Sequence, residues 1–289
     1  MKKLRIALVS AVSARELDED LAPLLSALTA RGILASVACW DDPAIPWSGF
    51  DAAVLRSTWD YTFRLEEFRD WLKRVERRTQ LFNPVPLLHW NLDKRYLLEL
   101  AAAGVPVIPT RLVAPGEAFE ISDRGEFVLK PSIGAGARGA RRFGRGEREA
   151  ALAHAAELHG TGHTVMVQPY LGRVDRDGET ALVFYRGQYS HAFRKGPLLQ
   201  RAAAASAALF ATETIEPRLA RPGELDVGVA ALRALPGGVP LYARVDLIED
   251  DAGQPRVLEL ELIEPSLYFH TAPGAAERFA AVIEQVVRG

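Results

Sequence analysis

Acidic residues crowd a stretch near the end of the sequence, although its apolar positions have the pattern of two β-strands. The stretch, LYARVDLIEDDAGQPRVLELELIEPSL, covers residues 241–267. Side chains two residues apart on a strand point to one face, so Glu259 and Glu261 share a face, and Asp246 can lie opposite them across the turn EDDAGQ. A solvated sheet face would tolerate alternating acids as well. Three converging carboxylates, however, repel one another unless a cation lies among them, and hard oxygen ligands suit magnesium.

A glycine-rich loop precedes this acidic stretch in the chain. The loop, KPSIGAGARG, holds Gly134, Gly136 and Gly139 in the spacing of a dinucleotide-binding fingerprint, but that fingerprint requires a helix directly after it, and here the pattern predicts a strand, ARRF. A glycine-rich turn can still present backbone N–H groups to phosphate. Lys130, in the apolar strand FVLKP, is costly unless it meets an anion. Together with Arg244 on the acidic face, these are the parts needed to position ATP for phosphoryl transfer.

The elements that must position these residues alternate between strands and helices. LRIALVSA, ILASVACW and DAAVLRS predict strands, and ELDEDLAPLLSALTARG predicts a helix that ends at Gly32. This alternation predicts a parallel α/β domain, in which ligands bind at loops that follow strands, such as STWDY. Beyond NPVP, we predict a helix that stops at Gly104, strands on both sides of the glycine-rich loop, a hairpin formed by ETALVFY and QYSHAF, and a helix near 224–235.

Composition excludes several classes of protein. The chain has 289 residues and a formal charge of −2, so we do not expect nucleic acid as a partner. No apolar run is long enough to span a bilayer, so we do not expect a membrane as a partner, and we expect a cytoplasmic location. The single cysteine, Cys39, permits no internal disulfide, and we expect it to be buried. The run GARRFGRGERE includes acids and holds a single aromatic residue, so it does not have the pattern of a nucleic-acid patch.

The motifs resemble those of the ATP-grasp ligases over nearly the whole chain. ARVDLIEDDAGQPRVLELE is similar to the metal-binding hairpin of D-alanine–D-alanine ligase, although the last ligand, commonly Asn in that family, is Glu261 here. The resemblance implies an α/β ATP-grasp fold with a pre-ATP-grasp parallel domain over 1–88, a lid subdomain over 89–168 and a subdomain with the metal hairpin over 169–289. It also implies ATP and one or two Mg²⁺ ions as cofactors, with Mn²⁺ as a substitute.

The same resemblance implies roles for the basic residues. Lys94 in NLDKRYL and Lys130 in VLKP match the two nucleotide lysines of the family, and Lys195 in SHAFRKGP corresponds to a lysine near the γ-phosphate, beside Arg194. Arg244 would stabilise the negative charge that develops during transfer. We therefore expect Arg244 and Lys195 to be the catalytic residues.

Residues around the adenosine follow from the resemblance as well. VMVQPYL resembles the interdomain hinge whose backbone reads the adenine edge, which implies positions there for Gln168 and Tyr170. Glu179 in GETALVF would meet the ribose, with Asp175 as the alternative. The glycine-rich loop and the middle segment would close as a lid that excludes water from a reactive acyl phosphate.

A closer resemblance is to the branch of this family that closes O-ureido-D-serine to D-cycloserine. RSTWDY, WNLDKRYL, GVPVIPT, YSHAF, YARVDL and ELELIEPSL are all similar to that branch. The stretch after SHAFRKGP, LLQRAAAASAALFATETIEP, differs from the arginine-containing loop that covers the acceptor site there. The resemblance therefore implies the chemistry of the family and leaves open the carboxylate, the nitrogen nucleophile and whether the bond forms within one molecule.

We expect an enzyme that activates a small amino-acid-like carboxylate and joins it to a nitrogen nucleophile, with release of ADP and phosphate. Its substrate would lie between STWDY and IEPS, and the expected contacts are Ser57, Thr58, Trp59, Tyr61, Glu264 and Ser266. Two other functions stay open: a nucleotide-binding regulator without catalysis, and a ligase that modifies a peptide or protein tail. A homo-oligomer is also open.

Two groups of residues have simpler interpretations. Asp60 could cap an aromatic turn rather than contact a substrate. The three histidines His154, His159 and His163 lack the HExxH spacing of a zinc site, and we expect them on a solvated surface.

Overall fold

The structure is a computed structural model that describes residues 3–118, 120, 125–199 and 214–289. The alanine-rich segment 201–209 lies outside these residues. The described chain contains three sheets, and the elements below are numbered along the chain.

The N-terminal sheet has four parallel strands in the order β2-β1-β3-β4. Its elements are β1 (Arg5–Ser10), α1 (Leu21–Ala30), β2 (Leu34–Cys39), β3 (Ala52–Ser57), α2 (Leu65–Val75) and β4 (Gln80–Phe82). β3 and nearly all of β1 are buried, as expected for a parallel sheet that is covered on both faces. The predicted parallel α/β arrangement is confirmed, and STWDY begins at the last residue of β3.

Two short helices connect this sheet to the rest of the chain, α3 (Val85–Asn91) and α4 (Tyr96–Ala102). Gly104 follows α4 with φ +81°, a conformation that glycine adopts without strain, so the predicted helix stop is confirmed.

The middle sheet is antiparallel and carries the glycine-rich loop. Its strands are β5 (Arg111–Val113), β6 (Phe127–Pro131), β7 (Arg141–Phe143) and β8 (Val165–Pro169), in the order β5-β8-β6-β7, and α5 (Arg148–Gly160) packs against them. Because β6 and β7 pair directly, the loop is a hairpin connection, and the prediction that a strand follows it is confirmed. Gly139 has φ +68°, and a Cβ there would lie 3.1 Å from Pro131 Cδ, so the close turn requires glycine.

The C-terminal sheet has five antiparallel strands in the order β11-β10-β9-β12-β13. The elements of this part are α6 (Val174–Asp177), β9 (Glu179–Tyr185), β10 (Gln188–Lys195), β11 (Ile215–Arg218), α7 (Pro222–Arg233), β12 (Tyr242–Glu249), β13 (Pro255–Glu261) and α8 (Ala275–Arg288). The predicted β9–β10 and β12–β13 hairpins are confirmed. α8 packs against α1 in one core, so the end of the chain joins the N-terminal sheet. A division into domains at residues 88 and 168 remains a proposal.

The prediction of a solvated surface is wrong for His154. Its side chain is buried beside the Phe143 ring, and Nε2 donates to the Gly139 carbonyl at 2.8 Å. The imidazole is buried because it lies on the face of α5 that packs against the sheet, together with small alanines. His159 is half-buried and donates to the Val113 carbonyl, and His163 is half-buried too. Among the described residues, no helix is long and apolar enough to cross a membrane.

Candidate active site

The acidic hairpin has the predicted register. Asp246 on β12 lies opposite Glu259 on β13, and Arg244 lies opposite Glu261, with an irregularity in the pairing directly after Asp246. Asp246 and Arg244 are buried, whereas the side chains of Glu259 and Glu261 keep about a quarter of their surface exposed, 25% and 23%. The hairpin therefore presents two accessible carboxylates in front of a buried ion pair.

Arg244 ties the hairpin together. Its Nε and Nη2 donate to the two oxygens of Asp246, both at 2.8 Å, and Nη2 also donates to Glu261. Lys195 approaches Asp246 from β10 at 3.0 Å and Glu179 at 3.1 Å. Burial would raise the pKa of Asp246, but Arg244 and Lys195 outweigh it and lower that pKa to about 2.

The two lysines that are expected to bind the nucleotide differ in their partners. Lys94 donates to Glu259 at 2.9 Å and to the Gly134 carbonyl at 2.5 Å. Burial alone would lower the pKa of Lys94, and Glu259 outweighs it and raises that pKa. Lys130 has no hydrogen bond or ion pair with any described residue, and burial, opposed by Glu259, lowers its pKa to about 8. Lys130 is only half-buried, and its ammonium group would be stabilised by an anionic ligand in the pocket.

The three expected metal ligands do not form a ready-made metal cluster in the described part of the chain, because Arg244, Lys195 and Lys94 hold them. Their chemistry still fits a hard divalent cation. Burial raises the pKa of Glu261 to about 7, Arg244 opposes this, and the charges of Glu259 and Asp246 add to it. A bound cation would relieve this surplus of negative charge.

One pocket joins the three sheets and brings most of the expected residues together. The expected residues that line it are Trp59, Tyr61, Lys94, Lys130, Gly134, Gly136, Gln168, Tyr170, Glu179, Lys195, Arg244, Glu259, Glu261, Glu264 and Ser266. Four others, Ser57, Thr58, Gly139 and Asp246, are not part of its lining.

Gln168 and Tyr170, which are expected at a hinge, line one side of the pocket. The Gln168 side chain donates to Thr110 Oγ1 at 3.0 Å, and residue 168 pairs with Val128 of β6. The Tyr170 ring lies 3.5 Å under the Arg142 guanidinium, and its hydroxyl donates to Asp175. Asp175 also accepts from Arg142 and does not line the pocket, whereas Glu179 does, so Glu179 is the better placed of the two residues expected near a ribose.

The expected substrate loops touch each other. Trp59 Nε1 donates to the Glu264 carbonyl at 3.0 Å, Arg56 donates to the Pro265 carbonyl at 2.7 Å, and Arg244 donates to the Ser266 carbonyl at 2.8 Å. Three successive carbonyls are thus fixed by buried side chains. Burial, with the charges of Glu261 and Glu259, raises the pKa of Glu264 to about 8.

Ser57 and Thr58 do not contact the pocket, contrary to expectation. Both are fully buried, because Ser57 is the last residue of the buried strand β3 and Thr58 follows it directly, and the Ser57 hydroxyl lies 2.7 Å from that of Ser10. Asp60 accepts from Trp40 Nε1 at 2.8 Å, which supports the structural interpretation of this acid.

Sequence reasoning missed several buried polar residues that bond to the backbone around the site. Asp20 accepts the backbone N–H groups of residues 267–269, which follow the second of the two expected substrate loops. Asn83 and Asn91 bond to the backbone where β13 ends. In the sequence, these residues are visible only as polar side chains beside apolar runs. That pattern does not indicate the distant backbone groups to which they bond. Arg138 of the glycine-rich loop was also missed.

The sequence and the structure of this chain are similar to those of known enzymes. The family model described as the N-terminal domain of the D-cycloserine synthetase DcsG matches residues 6–83. Cycloserine biosynthesis protein DcsG of Streptomyces lavendulae is 40% identical over 297 aligned residues, 97% of this chain and 98% of that protein. The crystal structure of D-cycloserine synthetase DcsG has a TM-score of 0.90 and 39% identity, covering 98% of this chain and 99% of that chain.

D-alanine–D-alanine ligase from Bacillus anthracis, solved with ATP, shares the fold with a TM-score of 0.70 and 13% identity, over 100% of this chain and 98% of that chain. These matches, together with the hairpin and the pocket, define an ATP-grasp ligase. Within that class, the chain belongs to the family of the D-cycloserine synthetase DcsG. The predicted ATP-grasp resemblance, its branch and the α/β fold are confirmed.

Proposed function

We propose that the enzyme activates a small amino-acid-like carboxylate with ATP and joins it to a nitrogen nucleophile. A carboxylate oxygen bonds to the γ-phosphorus while ADP leaves, which gives an acyl phosphate. The nitrogen then bonds to the acyl carbon and loses a proton, and phosphate leaves with the former carboxylate oxygen. The observation that carries this proposal is the pocket in which Arg244, Lys195 and two accessible carboxylates face the contact between Trp59 and Glu264.

The nucleotide would lie along the middle sheet. Lys130, which has no counter-ion among the described residues, supports a phosphate nearby, as do the backbone N–H groups of the glycine-rich loop. Gln168 and Tyr170 would meet the adenine and Glu179 the ribose. Lys94 would add a second positive charge at the phosphates.

Magnesium would be held by Asp246, Glu259 and Glu261, with one or two ions and with Mn²⁺ as a substitute. When bound, it would neutralise charge on the β- and γ-phosphate oxygens. The accessible carboxylates of the two glutamates support this assignment.

Arg244 and Lys195 would act on the transferring group. Arg244 is held rigidly by Asp246 and the Ser266 carbonyl, so it would stabilise charge on the phosphoryl group, and later on the tetrahedral intermediate, without reorganisation. Lys195 would lie by the γ-phosphate. The glycine-rich loop would close over both and exclude water from the acyl phosphate.

The substrate would bind at the contact of the two loops. Trp59 and Tyr61 would form walls, and Ser266 would contact the polar end. The ammonium group of the substrate would favour the ionised form of Glu264, lower its raised pKa and pair with it. The 40% identity to a cycloserine biosynthesis protein supports ring closure within one molecule, in which a nitrogen linked to the side-chain oxygen of a serine derivative attacks its own acyl phosphate. A cytoplasmic location, where ATP and Mg²⁺ are available, is part of the proposal.

A screen for ADP and phosphate release tests this function. The purified enzyme with MgATP is offered O-ureido-D-serine, D-serine, D-alanine and short peptides, and products are identified by mass spectrometry. We expect release with O-ureido-D-serine and formation of D-cycloserine, with water removing the carbamoyl group of the ureido substituent as carbon dioxide and ammonia. Nucleotide binding without release for any acid would favour the regulatory function, and release with peptides alone would favour tail modification.

A further inference from the structure

Arg138 crosses from the glycine-rich loop to the loop that follows β3. Its side chain lines the pocket and is 9% exposed. Nε donates to the Ala135 carbonyl at 3.2 Å within its own loop, and Nη2 donates to the Trp59 carbonyl at 3.2 Å and to Thr62 Oγ1. The guanidinium carbon lies 4.1 Å from the centre of the Phe63 ring. The arginine is thus oriented by four groups, all of them uncharged.

No carboxylate of the described chain forms an ion pair with Arg138, and Nη1 is buried without a hydrogen-bond partner. Lys94, Lys195 and Arg244, in the same pocket, all pair with carboxylates. An unpaired buried charge is costly, and an unused donor adds to that cost. The geometry therefore points to an anion that reaches Nη1 from the pocket.

The proposed reaction brings two anions into the pocket, the phosphates of the nucleotide and the carboxylate of the substrate. Lys130 already lies without a counter-ion on the nucleotide side. Arg138 instead contacts the backbone of Trp59, whose indole donates to Glu264, so it belongs to the substrate side. A guanidinium also suits a carboxylate because its donors lie in one plane.

We propose that Arg138 binds the carboxylate of the substrate through Nη1 and selects for an acid at this position. This inference rests on the proposed function. Since the residue belongs to the glycine-rich loop and is bonded to the Trp59 carbonyl, it would hold the carboxylate where the loop covers the phosphates.

The test compares an acid with its amide. Dissociation constants for O-ureido-D-serine and for its carboxamide are measured by calorimetry with a non-hydrolysable ATP analogue present, for the wild type and for Arg138→Gln. We expect the wild type to prefer the acid by roughly 10- to 150-fold, the scale for a hydrogen bond to a charged group, and the variant to lose most of that preference. The KM for the acid should rise by the same factor, while the KM for ATP stays within about threefold.

Arg141→Gln is the matched control. Arg141 stands at the start of β7, its guanidinium lies 5.2 Å from the Phe143 ring, and it does not line the pocket, so all constants should stay within about twofold. Arg138→Lys keeps the charge and loses the planar fork, and we expect an intermediate preference.

An unchanged preference for the acid in Arg138→Gln would overturn the proposal, and so would an equal rise of the KM for both the acid and ATP, which would make Arg138 only a structural link between the loops. If Arg138→Gln fails to fold, the wild type and Arg138→Lys still test the proposal. Equal affinity of the wild type for the acid and the amide would overturn it, and so would an Arg138→Lys variant that prefers the acid as strongly as the wild type does. A wild type that releases no ADP with any acid instead rejects the proposed function.

Discussion

Replacing Arg244 by alanine should separate binding of ATP from its use. The side chain makes two hydrogen bonds to Asp246 and one each to Glu261 and the Ser266 carbonyl, so it is fixed before any ligand arrives. Loss of one such preorganised donor costs about 2.7–4 kcal/mol of transition-state stabilisation. We expect kcat for ADP release to fall roughly 100- to 1,000-fold, while the affinity for ATP measured by calorimetry changes little.

The variant also leaves buried carboxylates with fewer cations. Breaking a buried pair costs about 3–5 kcal/mol, and Lys195, which stays on Asp246, offsets part of it, so a melting curve must accompany the kinetics. Arg256→Ala is the control, because Arg256 lies on β13 of the same hairpin and pairs with Asp250 at 2.9 Å outside the pocket. Lost ATP affinity with an unchanged kcat at saturation would refute the reasoning and make Arg244 a ground-state contact.

Three further predictions concern the metal, the substrate loops and the nucleotide. Asp246→Asn or Glu259→Gln should abolish turnover at any Mg²⁺ concentration with the circular dichroism spectrum unchanged, and near wild-type turnover would reject the metal assignment. Trp59→Ala and Glu264→Gln should raise the substrate KM far more than the ATP KM, and equal effects on both would argue against the substrate site. Burial lowers the pKa of Lys130 to about 8, so its positive charge is lost as the pH rises through 8. The affinity for ATP at pH 9 should therefore be roughly tenfold weaker than at pH 7. Lys130→Arg should abolish this pH dependence, and a wild-type affinity that does not change with pH would contradict the prediction.

The hairpin could be predicted from sequence because its information is local. The two-residue period of a strand fixes the face of Glu259 and Glu261, and the short turn fixes Asp246 opposite Glu259, as observed. The glycine-rich loop was predictable for a similar reason, since the pattern after it changes to a strand rather than a helix. Local patterns of this kind also gave the parallel N-terminal sheet.

Burial and distant partners were not predictable in the same way. His154 lies on a helix with little amphipathic character, and only the packed sheet shows that its face is covered. Ser57 and Thr58 belong to a motif that does reach the pocket, yet the strand end turns these two inward. Asp20 and Arg56 hold a loop more than two hundred residues away in the chain, a contact for which one sequence contains no signal.

The central claim is that the substrate carboxylate is phosphorylated before the new bond to nitrogen forms. It is tested most directly with O-ureido-D-serine labelled with ¹⁸O in its carboxylate, incubated with the enzyme and MgATP. The account predicts that one ¹⁸O atom appears in the inorganic phosphate for each molecule of product, because that oxygen leaves with the phosphoryl group. Product formation with unlabelled phosphate would contradict it.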